Sequence, residues 1–208
     1  PILNLNHINV KNEDGVSYLQ AMSPVDCIFL DPARRNEHGG KTVAISDCEP
    51  DVAELEELLL NKAGQVMVKL SPMLDLSLAL KELQHVQEVH IISANNECKE
   101  LLLILGQASV EEISIHCVNL PTKGTQEEQH FVFTREQEQC SECNYTNALE
   151  NYLYEPNASL LKAGASPPHF LLKNCILTVI FILLMCWSRV FPAGLSTSLV
   201  SAALIKKN

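Results

Sequence analysis

Three short polar segments carry side chains that hold substrates in many proteins, and each follows an apolar run. The segments are DPARR at 31–35, KLSP at 69–72 and ANNE at 94–97. A carboxylate can accept a hydrogen bond or a proton from an amino group, and an arginine can hold a phosphate or a carboxylate through two hydrogen bonds. If the apolar runs are strands of one sheet, the segments together form a candidate site.

The first segment predicts the reactive part of this site. Pro32 fixes φ and has no backbone N–H, so the chain turns there and directs the Asp31 carboxylate into the cleft. We take Asp31, Pro32 and Arg34 as candidate catalytic residues and Arg35 as a candidate for holding substrate phosphate. The alternative is a strand-end Asp that caps the next turn, with both arginines merely solvated.

Three further residues, Lys69, Ser71 and Asn95, are candidate substrate contacts. Lys69 lies inside a run otherwise made of Val, Met and Leu, so its ammonium group either reaches substrate or extends into water from a buried stem. A different turn lies at 12–15, where we expect a strand to end. There Asp14 can accept a hydrogen bond from an adenine amino group, or can belong to an ordinary turn.

The elements that must position these residues follow from hydrophobic periodicity. Strands are predicted at 25–30, 65–70, 88–94, 112–120 and 130–134, and helices at 51–61, 74–83 and 97–105, with Gly64 and Gly106 as helix stops. Alternating strands and helices favour βαβ units on a mainly parallel sheet. The carboxyl ends of its strands then form the site. Cys27, inside the first run, is expected to be a buried thiol.

We expect no metal site. The eight cysteines are typical of reduced cytosolic thiols, and the CxxC at 140–143 has no second pair, whereas zinc needs about four ligands. His85, His90 and His116 lie in or beside predicted elements. Histidines there are more often satisfied core or surface residues than catalytic ones.

The net charge of −10 and the pI of about 5.1 argue against a free-standing, charge-driven nucleic-acid binder, although a local basic groove is compatible with them. The segment 166–208 has four basic residues and no acid. Its apolar run at 175–187 is shorter than the roughly 20 residues of a membrane span. We predict no genuine span, although hydropathy can flag 170–187. A shifted reading frame after about residue 165 is the hypothesis that explains both features of this tail.

The segment VDCIFLDPARR resembles motif IV of class I S-adenosylmethionine-dependent methyltransferases, with Asp-Pro-Ala-Arg in place of Asp-Pro-Pro-aromatic. Together with DCEP (47–50), KLSPMLD (69–75), NECKELL (96–102) and YLYEPNASLLKAGA (152–165), it resembles a methyltransferase-like family typical of Bacteroidetes. That family has a methyltransferase domain, a small ferredoxin-like element and a C-terminal THUMP-like domain.

The resemblance implies an α/β fold, with a partial Rossmann-like methyltransferase sheet followed by a small α+β region. It divides the chain into part of the methyltransferase domain (1–106), a ferredoxin-like element (107–149), the start of a THUMP-like domain (150–165) and the tail (166–208). Asn12, Asp14 and Gly15 would then contact the adenosine of S-adenosylmethionine. The glycine-rich loop for its methionine part would lie upstream, so we expect this fragment alone to be inactive.

The resemblance also implies, by analogy, that the enzyme acts on RNA, because THUMP domains accompany RNA-modifying enzymes. The reduced cysteines favour a cytoplasmic location. Two alternatives stay open. One is a non-catalytic RNA-binding or scaffold protein that keeps a methyltransferase shell, which the altered motif IV favours. The other is a protein tethered to a membrane through 170–187.

Overall fold

The elements of the chain are taken from a computed structural model that describes residues 7–34, 44–121, 128–139, 152–164 and 177–181. The helices are α1 (Gly15–Ala21), α2 (Val52–Lys62), α3 (Leu76–Glu82), α4 (Arg135–Gln139) and α5 (Ala158–Ala163). A 3-10 turn covers Ile45–Asp47. The strands are β1 (Val25–Leu30), β2 (Ala33–Arg34), β3 (Cys48–Glu49), β4 (Ala63–Leu70), β5 (Val86–Ala94), β6 (Glu97–Gly106), β7 (Ser114–Leu120), β8 (Gln129–Thr134), β9 (Tyr152–Pro156) and β10 (Leu177–Phe181).

Six of the described strands form one mixed sheet in the order β1-β4-β6-β5-β7-β8. β1 pairs with β4 in parallel and β5 pairs with β7 in parallel, whereas β8 runs antiparallel to β7. Two-stranded antiparallel sheets join β2 to β3 and β9 to β10. The chain is therefore a mixed α/β protein, as predicted, but its sheet is less parallel than expected.

The chain divides into two compact units, of which the first comprises Pro1–Lys69, Met73–Val86 and Ile104–Ser109. Helix α2 begins at Asp51, whose carboxylate accepts from the N–H groups of Ala53 and Glu54, as an N-cap does. At its other end the Lys62 ammonium donates to the carbonyls of Gln20 and Met22, at 3.0 and 2.7 Å. Lys62 thus ties the end of α1 to the end of α2.

The second unit comprises Leu70–Pro72, Gln87–Leu103 and Val110–Asn208. Alternate residues of β5, β7 and β8 are buried there, among them Val89, Ile91, Ile115 and Phe133. Helix α5 packs on β7 and has Asn157 as its N-cap and Gly164, with φ 77°, after its last turn. The four-part division that the resemblance implies stays a prediction.

The helix predicted over 97–105 is wrong, because these residues form β6. Two residues, Asn95 and Asn96, connect β5 to β6, with φ of 51° and 61°. Positive φ at both central residues is the requirement of a type I′ hairpin turn. A short apolar run such as LLLIL fits a helix and a strand equally well, and here the turn before it decides in favour of the strand.

Two smaller expectations about element ends are also wrong. Helix α2 ends at Lys62, and Gly64, expected to stop it, lies inside β4. A Cβ at Gly64 would lie 3.4 Å from the carbonyl oxygen of Asp26, so the glycine allows β4 to approach β1 closely. Residues 7–14 contain no strand, and the turn at 12–15 instead leads into α1.

Strand β1 is correctly predicted but is not buried. In the described structure it has a strand neighbour on one side only, β4. Val25 and Phe29 are exposed at 42% and 56%, and the Cys27 thiol, expected to be buried, is exposed. An apolar run predicts a buried strand only where neighbouring elements cover it.

The described residues contain no helix that is long and apolar enough to cross a membrane. Within the apolar run at 175–187, Leu177–Phe181 form β10, which pairs antiparallel with Tyr152–Pro156. The remainder of 166–208 lies outside the described residues. The frameshift hypothesis therefore stays a prediction.

The hairpin turn provides a stability test. Both Asn95→Gly and Asn95→Val delete the side-chain amide, but valine also disfavours the positive φ. We expect Asn95→Val to be less stable than Asn95→Gly by about 1–2 kcal/mol, the cost of the left-handed conformation. Urea unfolding of both variants measures this difference, and equal midpoints and slopes would contradict the assigned turn.

Candidate functional site

The Asp31 carboxylate and the Lys69 ammonium form an ion pair in the first unit. Lys69 Nζ lies 2.7 Å from Asp31 Oδ2, and the two side chains are 30% and 56% exposed, respectively. The distance is that of a charge-assisted hydrogen bond. The predicted strands at 25–30 and 65–70 thus bring Asp31 and Lys69 together.

The register of two parallel strands explains the meeting. β1 and β4 pair with Phe29 opposite Met67 and Leu30 opposite Val68, so one residue further along, Asp31 comes beside Lys69. Val68 and Leu70 are buried, while Lys69 between them is only partly covered. This alternation is the period of a strand, and it presents Lys69 on the face opposite to the two apolar side chains.

The chain after Asp31 is held by Pro32, which is buried, and by the short pairing of β2 with β3. Ala33 lies opposite Glu49 and Arg34 opposite Cys48 in that pairing. Arg34 therefore has a defined backbone position close to the ion pair in sequence, whereas Arg35 lies outside the described residues. The turn expected at Pro32 leads into a small sheet that fixes the loop.

Asp14 acts as the N-cap of α1, because its Oδ2 accepts from the Ser17 N–H at 2.7 Å. That hydrogen bond, together with one from the Ser17 hydroxyl, lowers the pKa of Asp14 below its ordinary value. Asn12 and Gly15 are exposed beside it, and a Cβ at Gly15 would meet nothing within 4 Å. This capping role of Asp14 agrees with the alternative in which Asp14 belongs to an ordinary turn. It leaves acceptor positions of the carboxylate for a ligand, because a carboxylate offers about four.

The two remaining candidates, Ser71 and Asn95, belong to the second unit. Ser71 directly follows β4. The N–H of Asn95 donates to the carbonyl of Leu120 at 2.8 Å, so its backbone helps to fix the hairpin. The third segment is thus a tight turn between antiparallel strands and is not the loop of a βαβ unit that the parallel-sheet argument expected.

The side chain next to Asn95 joins a network of amides. Asn96 accepts from the N–H of Ala158 at 2.7 Å, and its own N–H donates to the Asn119 side chain at 3.0 Å. The side-chain amides of Asn119 and Asn157 both donate to Gln129. Asn157 is almost completely buried. The network holds the start of α5 against the hairpin, so its role is structural.

Sequence reasoning missed a row of histidines in the second unit. The His90 and His116 rings stack at 4.3 Å between centroids, and the His130 ring follows at 5.6 Å from His116. His90 Nε2 lies 2.9 Å from Glu88 Oε2. Burial, and secondarily the neighbouring His90, lower the pKa of His116 below its ordinary value. A sequence signal exists, because Glu88 and His90 share one face of a strand, but only the register brings His116 beside them.

Comparison with known proteins adds one relationship. No family model matches the sequence, and no curated protein matches it. The chain is similar to a crystal structure of a protein from Porphyromonas gingivalis W83 that has been proposed to be a methyltransferase, with 41% sequence identity and a TM-score of 0.59. The match covers 67% of this chain and 34% of that one. The chain thus spans about a third of the protein it resembles, and over that part it is similar to a methyltransferase-like α/β protein.

Proposed function

We propose that the full-length protein containing this chain is an S-adenosylmethionine-dependent methyltransferase that acts on a nitrogen of RNA. The observation that carries the proposal is the Asp31–Lys69 pair, which lies where two parallel strands end. Such ends are the usual binding place in α/β sheets. The similarity to the Porphyromonas gingivalis protein supports the methyl-transfer class.

In this proposal Asp31 orients the nitrogen atom that accepts the methyl group. The Lys69 ammonium group holds one carboxylate oxygen at 2.7 Å, while the side chain remains 56% exposed. A carboxylate fixed in this way can accept a hydrogen bond from an amino group and align the nitrogen lone pair with the incoming methyl group. Asp31 would also accept the proton that the amino group must lose when it is methylated.

The residues at 12–15 fit the adenosine part of the cofactor. Asp14 is exposed and retains acceptor capacity beyond its cap, and the open space at Gly15 lets a planar base approach the backbone. When bound, S-adenosylmethionine supplies the electrophilic methyl group. The protein supplies alignment and electrostatics.

The choice of RNA rests on the resemblance of 150–165 to a THUMP-like domain and on arginines at 34 and 35 that suit phosphate. Because Asp-Pro-Ala-Arg replaces the usual Asp-Pro-Pro-aromatic, a second function is also compatible with the sequence. It is that of an RNA-binding scaffold without catalysis. The two differ in whether the protein binds the methyl donor and transfers its methyl group.

Calorimetric titration of the full-length gene product with S-adenosylmethionine tests the cofactor assignment. We expect saturable binding that Asp14→Asn weakens about tenfold, because asparagine keeps the helix cap but replaces a charged acceptor by a neutral one. Glu13→Gln, at the neighbouring exposed position, is the matched control and should bind as the wild type does. A titration of the wild type without saturation would reject the methyltransferase proposal in favour of the scaffold.

A further inference from the structure

Three polar side chains of the second unit converge on the face of the sheet opposite to its buried residues. Glu88 and His90 are two residues apart on β5, and Ser114 and His116 lie directly opposite them on β7. The intervening residues, Val89 and Ile115, are fully buried. Because side chains alternate along a strand, Glu88, His90 and His116 share the other, more accessible face.

The ligand atoms of this cluster are already close. One ligand atom each from Glu88, His90 and His116 lies within 4.8 Å of the others. The Glu88 carboxylate contacts His90 Nε2 at 2.9 Å, and Ser114 Oγ contacts His116 Nε2 at 3.1 Å. Nitrogen–oxygen separations in a tetrahedral zinc site, with bonds of about 2.0–2.2 Å, are roughly 3.3 Å. Metal binding would therefore require the side chains to rotate so that this spread of up to 4.8 Å shortens.

We propose that Glu88, His90 and His116 form a binding site for a divalent transition metal, with Zn²⁺ as the ion that suits this ligand set. Two imidazoles and one carboxylate are borderline donors that favour zinc over magnesium or calcium. Three protein ligands leave a fourth position of the tetrahedron open to solvent. This proposal is independent of the methyltransferase proposal, because none of its residues takes part there.

The surroundings of the cluster provide outer partners for the ligands. His130 Nε2 lies 3.4 Å from His116 Nδ1, so His130 can hold the second nitrogen of His116 while Nε2 turns to the metal. Histidine ligands usually have such a partner, which orients the ring. The nearly parallel rings of His90 and His116, at 14°, must tilt on loading because lone pairs lie in the ring planes. Metal binding should therefore disrupt the stacking of His90 on His116.

The test is a titration of the untagged full chain, freed of metal with a chelator, against Zn²⁺ in competition with a chromophoric chelator. We expect one equivalent to bind, with affinity at least tenfold weaker in His90→Gln, His116→Gln and Glu88→Gln. His7→Gln, an exposed histidine outside the cluster, is the matched control and should retain wild-type affinity. Unchanged affinity in all three ligand variants would overturn the proposal.

The cysteines require a separate arm, because thiolates also bind zinc. In Cys140→Ser/Cys143→Ser we expect wild-type affinity, and the Co²⁺-loaded protein should show no thiolate charge-transfer band. Loss of binding in the double cysteine variant would instead assign the metal to the CxxC at 140–143 and reject the histidine site. Glu88→Gln keeps the test decisive if a histidine variant fails to fold, because Glu88 is a partly exposed side chain whose loss leaves the core intact.

Discussion

Asp31→Ala in the full-length protein is expected to lower kcat for methyl transfer about 100-fold, with the Kd for S-adenosylmethionine unchanged within about twofold. The reason is that Asp31 is proposed to orient the acceptor nitrogen and receive its proton, a contribution typically worth about 10²–10⁴-fold, while the cofactor contacts are assigned to 12–15. Transfer of a labelled methyl group to RNA, followed over many turnovers at saturating substrate, measures kcat.

The matched control is Asp26→Ala, which removes an exposed carboxylate from the same strand. It should leave methyl transfer unaffected. Lys69→Met should lower kcat less than Asp31→Ala does, since it frees the carboxylate that Lys69 holds at 2.7 Å without deleting it. Full activity in Asp31→Ala would contradict the assigned role of this residue, and an inactive wild type that binds RNA would favour the scaffold function.

The proximity of Asp31 and Lys69 could be predicted from the sequence because it requires only that two predicted strands be parallel neighbours in one sheet. Asp31 directly follows the apolar run at 25–30, and Lys69 is the penultimate residue of the run at 65–70. Parallel pairing of the two strands brings these positions to the same end. A shared edge of the sheet could be expected without the register, whereas the 2.7 Å contact depends on the pairing of Leu30 with Val68. The helix at 51–61 was likewise recoverable from its periodicity and acidic start.

The row of histidines could not be predicted in the same way. His90, His116 and His130 are separated by 26 and 14 residues in the sequence, and their stacking depends on which residues of β5, β7 and β8 pair. A shift of one residue would turn each side chain to the other face. The sequence indicated the strands but not their order, because the hairpin at Asn95 and Asn96 was interpreted as a loop before a helix.

The buried face of α2 also could not be predicted completely from the sequence pattern. Its apolar residues, at 52, 55, 58 and 59, predict an amphipathic helix. The structure instead buries Val52, Glu56, Leu59 and Leu60. This set also has helical spacing, but periodicity counts only apolar residues and so cannot assign a carboxylate to the core. What retains Glu56 there is a set of hydrogen-bond donors from a distant segment.

Glu56 provides the second prediction with a large effect. Its side chain is 6% exposed, and its carboxylate accepts from the N–H of Gln84 at 3.0 Å and from the N–H of His85 at 2.8 Å. These donors lie between α3 and β5, where no regular backbone pairing serves them. We expect Glu56→Ala to lower the free energy of unfolding by about 2–4 kcal/mol. The substitution leaves two partly buried N–H groups without their acceptor and creates a void.

Two further variants separate the hydrogen bonds from the loss of volume. Glu56→Gln keeps the shape of the side chain and one acceptor oxygen, but its amide N–H₂ faces a backbone donor. We therefore expect about half the decrease in the free energy of unfolding that Glu56→Ala causes. Glu57→Ala removes the adjacent, exposed carboxylate of the same helix and should change stability by less than about 0.5 kcal/mol. Urea unfolding of the chain, monitored by circular dichroism, measures all three. If Glu56→Ala lowered the free energy of unfolding no more than Glu57→Ala does, water would be able to replace the carboxylate. The buried acid would then not be what holds the segment between α3 and β5.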